Sequence, residues 1–263
     1  MQSRPFSYLF SISYFGARYK GWAPQPNQPT VQRRLERVFR HVFGHEDFSL
    51  IGASRTDSGV SCSGGFLQLF LREKVNMEGL LPDLNTHLPD DIRLNGVEVV
   101  SISFNLIQAV KQKTYRFYFA QESDFHPFAS AFLVNVPEAL DLELMQQAAQ
   151  IFIGEHNFKS FCKPSVNKID FERGVLSAQI QSSNEFLGIF FPKEINYFTV
   201  TGTGFLHHQV RKMMTAIWEV GKGNWELKDI QKRLTHPDAN WEQIPPAPAH
   251  GLILCETMLK FEG

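Results

Sequence analysis

Positions 6 to 14 alternate Phe6, Tyr8, Phe10, Ile12 and Tyr14 with Ser7, Leu9, Ser11 and Ser13, a period of two that predicts a strand with one aromatic, packed face. The alternation stops at Gly16. From there to Thr30, Gly21, Trp22, Pro24, Pro26 and Pro29 stand among Lys20, Gln25, Asn27 and Gln28, which predicts an irregular loop. Thr30 is placed to cap a helix in which Val31, Leu35, Val38 and Val42 recur at helical spacing, while Arg33, Arg34, Arg37 and Arg40 take the other faces. A short apolar run then ends at the turn Arg55-Thr56-Asp57-Ser58-Gly59. Strands are predicted over 65–71, 92–104 and 113–119, with a helix over 79–88 whose Pro82 fits only a first turn.

In the second half, Leu142, Met145, Ala149 and Phe152 predict a helix stopped by Gly154, followed by strands over 175–181, 187–191 and 197–201. An amphipathic helix is expected from Leu206 to Val220, burying Val210, Met213, Met214, Ile217 and Val220 and ended by Gly221. A helix over 226–234 and a strand over 252–261 complete the pattern. The polar stretch 121–128 reads as a linker. The element orders β-α-β-β-α-β and α-β-β-β-α-β predict an α+β fold of two sheet-and-helix halves, ferredoxin-like or RRM-like, whose sheets meet at a central cleft. The expected domains are residues 1–107 and 108–263.

Composition changes this picture little. With 263 residues, 43% hydrophobic and 20% charged, the chain is long enough for a proper core, and a formal net charge of −1 signals no nucleic-acid partner by bulk charge. Any such partner requires basic residues gathered on one surface, and the four arginines of the first helix are the densest such group. By themselves they fit a solvated helix face as well as a phosphate-binding one. Cys62, Cys162 and Cys255 are far apart and odd in number, which suits neither a disulfide framework nor a Cys-x-x-Cys metal site. Residues 1–5 lead straight into the first strand rather than into an apolar leader, and no apolar run approaches roughly 18 residues. A soluble protein of the reducing cytoplasm, without a membrane partner, is expected.

Asp57 is the residue with the clearest chemical promise. It is either the first position of an ordinary Asp-Ser-Gly turn or an acid that a strand end projects into a cleft, and the local sequence is compatible with both. Tyr115, beside Phe117 and Phe119, fits an aromatic plug in a strand. Gly202-Thr203-Gly204 lies between a strand and a helix but lacks the third glycine and the downstream acid of a dinucleotide site.

Five separated segments occur together: Tyr14-Phe15-Gly16 through Lys20-Gly21-Trp22, Arg55-Thr56-Asp57-Ser58-Gly59-Val60, Lys113-Thr114-Tyr115-Arg116-Phe117, Phe205-Leu206-His207-His208-Gln209-Val210-Arg211, and Ala247-Pro248-Ala249-His250-Gly251-Leu252. In this order they resemble the TruA family of tRNA pseudouridine synthases over nearly the whole chain. The resemblance implies an isomerase that detaches uracil from its ribose at N1 and rejoins it through C5, in the anticodon stem-loop of tRNA, with no cofactor and no metal. It implies Asp57 as the nucleophile or stabilising anion beside the glycosidic carbon. Arg211 matches the guanidinium that pairs with that acid, against the alternative of an unrelated surface ion pair. Tyr115 matches the tyrosine that stacks on the extruded base and receives the C5 proton. Arg55 matches the arginine that grips RNA backbone, and Lys20, Trp22, Arg33, Arg34, Arg37 and His208 are the expected further RNA contacts. His207 and His208, adjacent on the expected helix, point about 100° apart there and are read as structural or RNA-facing rather than as joint metal ligands. A homodimer is carried over from the family in the same way.

The chain departs from the family pattern at Ser61 and Cys62, where His and Ala are usual, and at Asn105 and Ile107, within a Phe-His-Ala-Arg element. Thr215 replaces a usual glycine. These changes leave the reaction class standing and open two alternatives: other uridines or another structured RNA as substrate, and an RNA-binding or RNA-folding protein with weak catalysis.

Overall fold

The structure, a computed structural model, describes residues 4–164, 170–183 and 188–260. It forms two compact units, one of residues up to 111 together with the chain from 254 onward, the other of residues 112–253. The stretch 121–128, expected as a linker, lies inside the second unit, where Pro127 opens a 3-10 turn over Pro127–Ala131.

The first unit runs β1 (Phe6–Tyr14), α1 (Val31–Phe43), β2 (Phe48–Gly52), β3 (Ser61–Leu71), α2 (Leu80–His87), β4 (Ile92–Val100) and the one-turn α3 (Leu106–Ala109). β1 lies between β3 and β4, antiparallel to both, and β2 pairs antiparallel with the end of β3. This inner position corrects the expectation of a single packed face. Ser7 and Leu9 are buried as well as Tyr8 and Phe10, with Leu9 packed against Ala53 and Leu106. Buried Ser7 is satisfied because its hydroxyl accepts from Gln68 Nε2 at 2.8 Å.

α1 buries Val31, Leu35, Val38 and Phe39, a stripe at helical period; Phe39 meets Phe10 edge-on at 5.5 Å, and Val42 is only half-buried. Thr30 does stand at the N-cap with extended backbone, but its hydroxyl makes no capping bond; Gly44, at φ 73°, closes the far end by donating its N–H to the Arg40 carbonyl. Pro82 falls in the first turn of α2, where a missing N–H costs nothing.

The second unit begins within β5 (Val110–Ala120) and continues through β6 (Val134–Asn135), α4 (Leu142–Gln150), β7 (Gly154–Asn157), β8 (Glu172–Ser183), β9 (Ile195–Gly202), α5 (Gln209–Gly221) and α6 (Leu227–Thr235) to the first residues of β10 (Leu252–Leu259). Its strands are ordered β5-β9-β8-β7, antiparallel throughout, with β6 parallel to β5. A strand expected over 187–191 is absent: Leu187 lies outside the described residues, and Gly188, at φ 137°, starts a turn closed by the Phe191 N–H on its carbonyl. The N-caps of α4 and α6 are chemical ones. Asp141 accepts the Leu144 N–H, and Glu226 with Asp229 forms a reciprocal capping box.

α5 buries Val210, Met213, Met214, Ile217 and Val220 as expected, and also Gln209, Lys212 and Ala216, so it is covered on more than one side. Gly221 is its last residue rather than its stop signal; a Cβ there would lie 2.5 Å from Met145 Cγ, so glycine lets α4 approach. The left-handed residue after the helix is Gly223, at φ 76°. β10 begins in the second unit and ends in the first, next to β3, where Ser63 Oγ donates to the Cys255 carbonyl at 3.2 Å.

Candidate active site

The turn that carries Asp57 joins β2 to β3 and is held from below by backbone of the 14–22 segment. The Trp22 N–H donates to the Thr56 carbonyl at 3.1 Å, and the Tyr14 and Thr56 hydroxyls share a hydrogen bond of 2.7 Å. Tyr19 offers its carbonyl to the Gly59 N–H at 3.1 Å and to the Ser58 hydroxyl at 3.4 Å. The turn closes on itself through the Val60 N–H and the Asp57 carbonyl, 3.2 Å apart, with Gly59 in the left-handed region at φ 83°. Asp57 is left half-buried, with Thr56 buried before it and Arg55 exposed. An acid so placed has a fixed backbone and a side chain that reaches solvent, which is what a nucleophile on a loop requires.

Close approach makes this arrangement depend on glycine at two places. A Cβ on Gly16 would stand 2.0 Å from the Val60 carbonyl oxygen, and one on Gly21, which sits at φ 94°, 2.8 Å from that of Thr56. Ser61, one of the departures from the family pattern, is buried here and its hydroxyl accepts the Gly16 N–H at 2.9 Å.

Trp22 must be corrected. Expected as an RNA contact, it is 3% exposed, lies 6.0 Å from the Tyr14 ring and covers Gly52, where a Cβ would come within 2.4 Å of the indole. It is a core residue under the turn. Lys20, Arg34 and Arg37 are exposed and Arg33 is half-buried, so these four keep the surface placement that contact with RNA demands.

Tyr115 and Arg211 belong to the second unit. Tyr115 lies on β5 opposite Val200 of β9, half-buried, with its ring edge-on to Phe205 at 5.4 Å. Phe117 and Phe119, farther along β5, are fully buried against Trp218, so the strand passes from core plug to accessible ring at Tyr115. Arg211 is half-buried on α5, and its Nε donates to the Ala247 carbonyl at 2.6 Å while the Ala247 N–H donates to the Arg211 carbonyl at 3.1 Å. The guanidinium is thereby oriented through one nitrogen.

Three neighbours hold the segment that bonds Arg211, and of these the sequence singles out only Thr215, as a departure from the family pattern. Thr215 Oγ1 donates to the Pro245 carbonyl at 2.8 Å. Lys212, 3% exposed, donates to the Cys162 carbonyl at 2.8 Å and to Gln243 Oε1 at 3.4 Å; burial pushes its pKa down. Arg233 is stacked between Trp225 and Trp241, 4.5 and 5.0 Å from their ring centres, and donates to the Glu242 carbonyl. Charged side chains such as Lys212 and Arg233 fit a solvated face by sequence alone, and only the fold shows both of them buried.

His207 and His208 precede α5 instead of riding on it. His208 is the N-cap at φ 66°, and the two ring centres lie 4.2 Å apart, so the divergence of about 100° expected for neighbours on a helix does not apply to them. His207 is exposed and His208 half-buried. Of the other departures from the family pattern, Asn105 caps α3 by accepting the Ile107 and Gln108 N–H groups, and Ile107 is exposed.

Comparison with known proteins supplies what geometry alone does not. A family model described as tRNA pseudouridine synthase matches residues 148–258. The tRNA pseudouridine synthase A of Bacillus sp. (strain KSM-64) is 32% identical over 249 residues, 94% of this chain and 97% of that one. This chain belongs to the tRNA pseudouridine synthase A family. The relative named so from Caldicellulosiruptor saccharolyticus is 33% identical over 84% of this chain and 87% of its own, and that of Methylacidiphilum infernorum 31% identical over 94% and 93%. Membership in the tRNA pseudouridine synthase A family bears out the expected reaction class, an isomerase acting on uridine in tRNA.

Proposed function

We propose that this synthase acts on the anticodon stem-loop, with Asp57 as the nucleophile or stabilising anion, Arg211 as its cationic partner and Tyr115 as the platform for the extruded base. The reaction breaks N1–C1′, turns the uracil and forms C5–C1′; C5 gives up its proton, Tyr115 being the acceptor, and N1 gains one. A carboxylate suits the step because C1′ becomes electron-poor as N1 departs. A ring at Tyr115 replaces the stacking that the base loses when it leaves its stem.

The observation that carries this reading is the turn at Asp57: a half-buried acid flanked by the Thr56 carbonyl and the Gly59 N–H, both tied to the 19–22 segment, and by the Ser58 hydroxyl, which is tied there too, in a chain of this family. Each unit is read as a ferredoxin-like half, a reading supported in the first by the order β4-β1-β3 with β2 on β3. Arg55, Lys20, Arg33, Arg34, Arg37 and His208 are the proposed RNA contacts, favoured by exposure or partial exposure and by the phosphate affinity of their cationic members. The proposal includes a homodimer working in the cytoplasm.

The test is tritium release from tRNA labelled at uridine C5. Asp57→Asn is expected to lower the rate by about 1,000-fold or more while tRNA binding persists. A variant that releases tritium at the parent rate removes Asp57 from the nucleophile's role, and a map of the modified positions reads the anticodon-arm assignment separately.

A further inference from the structure

Tyr19 ties the Asp57 turn to the foot of β4. Its carbonyl is the acceptor for both Gly59 and Ser58, immediately after Asp57, and its N–H donates to the Gly16 carbonyl at 2.9 Å. At the other end, its hydroxyl donates to Asp91 Oδ1 at 2.5 Å, and Asp91 directly precedes β4. The Asp91 side chain is 9% exposed and also meets Arg18 at 3.4 Å, while the Asp91 carbonyl accepts the Phe15 N–H at 2.9 Å. Tyr19 is itself 6% exposed, so neither partner faces RNA.

We propose that Tyr19 and Asp91 are positioning residues for the isomerisation: their buried hydroxyl–carboxylate bond sets where the Tyr19 carbonyl stands, and hence where the turn presents Asp57. The inference rests on the reading of Asp57 as the nucleophile. A charge-assisted bond of this length is among the stronger ones a side chain makes, and it joins an otherwise irregular loop to the end of a sheet strand. Burial, and then the bond to Asp91, push the Tyr19 hydroxyl well above the usual tyrosine range, so it remains a donor throughout the neutral range. A nucleophile displaced by a fraction of an ångström loses rate while substrate binding is largely kept, because most of the proposed phosphate contacts, Arg33, Arg34 and Arg37, lie on α1 and not on this loop.

The experiment compares Tyr19→Phe, the double variant Tyr19→Phe with Asp91→Asn, and Asp57→Asn, each for kcat, KM and thermal midpoint. Tyr19→Phe is expected to lower kcat by about 10- to 100-fold with KM for tRNA changed by less than about twofold, and to lower the midpoint because a buried carboxylate loses its donor. In the double variant that charge is gone; the midpoint recovers and kcat stays low. Recovery of kcat together with the midpoint, or a Tyr19→Phe enzyme with parental kcat, overturns the proposal. So does failure of both phenylalanine variants to fold, since the tether is then purely structural. An active Asp57→Asn enzyme would instead sink the reading on which the inference stands.

Discussion

Arg211 shows how a single side chain is oriented by its surroundings. Its Nε is committed to the Ala247 carbonyl, so the remaining nitrogens of the guanidinium are presented in a set plane. Thr215 sits one turn along α5 and binds both the Arg211 carbonyl, at 3.3 Å, and the Pro245 carbonyl, so the hydroxyl joins the helix to the segment that orients the guanidinium. Replacing Thr215 by Val keeps the shape and removes the donor. Chemical denaturation of this variant is expected to show a loss of about 0.5–1.5 kcal/mol, at the lower end because the Pro245 bond is exposed. Serine at the same position is expected to restore most of it.

Among elements, the decisive contact is between the segment after β1 and the β2–β3 turn. Gly16 lies so close to Val60 that an added methyl meets backbone, which cannot rotate away as a side chain can. Gly16→Ala is therefore expected to destabilise the protein by about 1–3 kcal/mol, measured as a shifted urea midpoint. Activity is expected to fall further than stability explains, because the Asp57 turn rests on the same segment. Much of this architecture was visible beforehand: the alternation of β1, the apolar stripes of α1 and α5 and the glycine of the Asp57 turn are local patterns with local causes. Trp22 was not visible, because a tryptophan in a Pro-rich loop looks exposed until Gly52, thirty positions away, is found to make room for it. His208 was missed for a related reason. The apolar period of α5 extends past its true start, and only a backbone at φ 66° ends it.

For the molecule as a whole, stability is coupled to pH through His250, in the 3-10 turn of Ala249–Gly251. Burial pushes its pKa below the usual 6.5, a hydrogen bond to the Leu133 backbone opposes that, and the Arg211 charge adds to the lowering. The folded protein thus holds fewer protons here than the unfolded chain, and stability rises with pH up to about 6.5 and is lost as pH falls through the depressed folded value. Urea midpoints taken from about pH 7.5 down to about 5.5 are expected to fall, and to fall less in His250→Gln. The chain's return through β10 to the first unit is a second property of this scale. It places Cys255 beside Ser63 and Gly64, contacts between residues nearly two hundred positions apart.

The sequence by itself determined the α+β class, most element positions, the turn at Asp57 and the family, since each is written in short-range periodicity or in ordered motifs. The tertiary structure alone decided which polar groups are tied and to what: Tyr19 to Asp91, Lys212 to Cys162, Thr215 to Pro245. Hydrogen bonds of this kind join residues that are distant in the chain and carry no period, so they exist only once packing has brought their partners together.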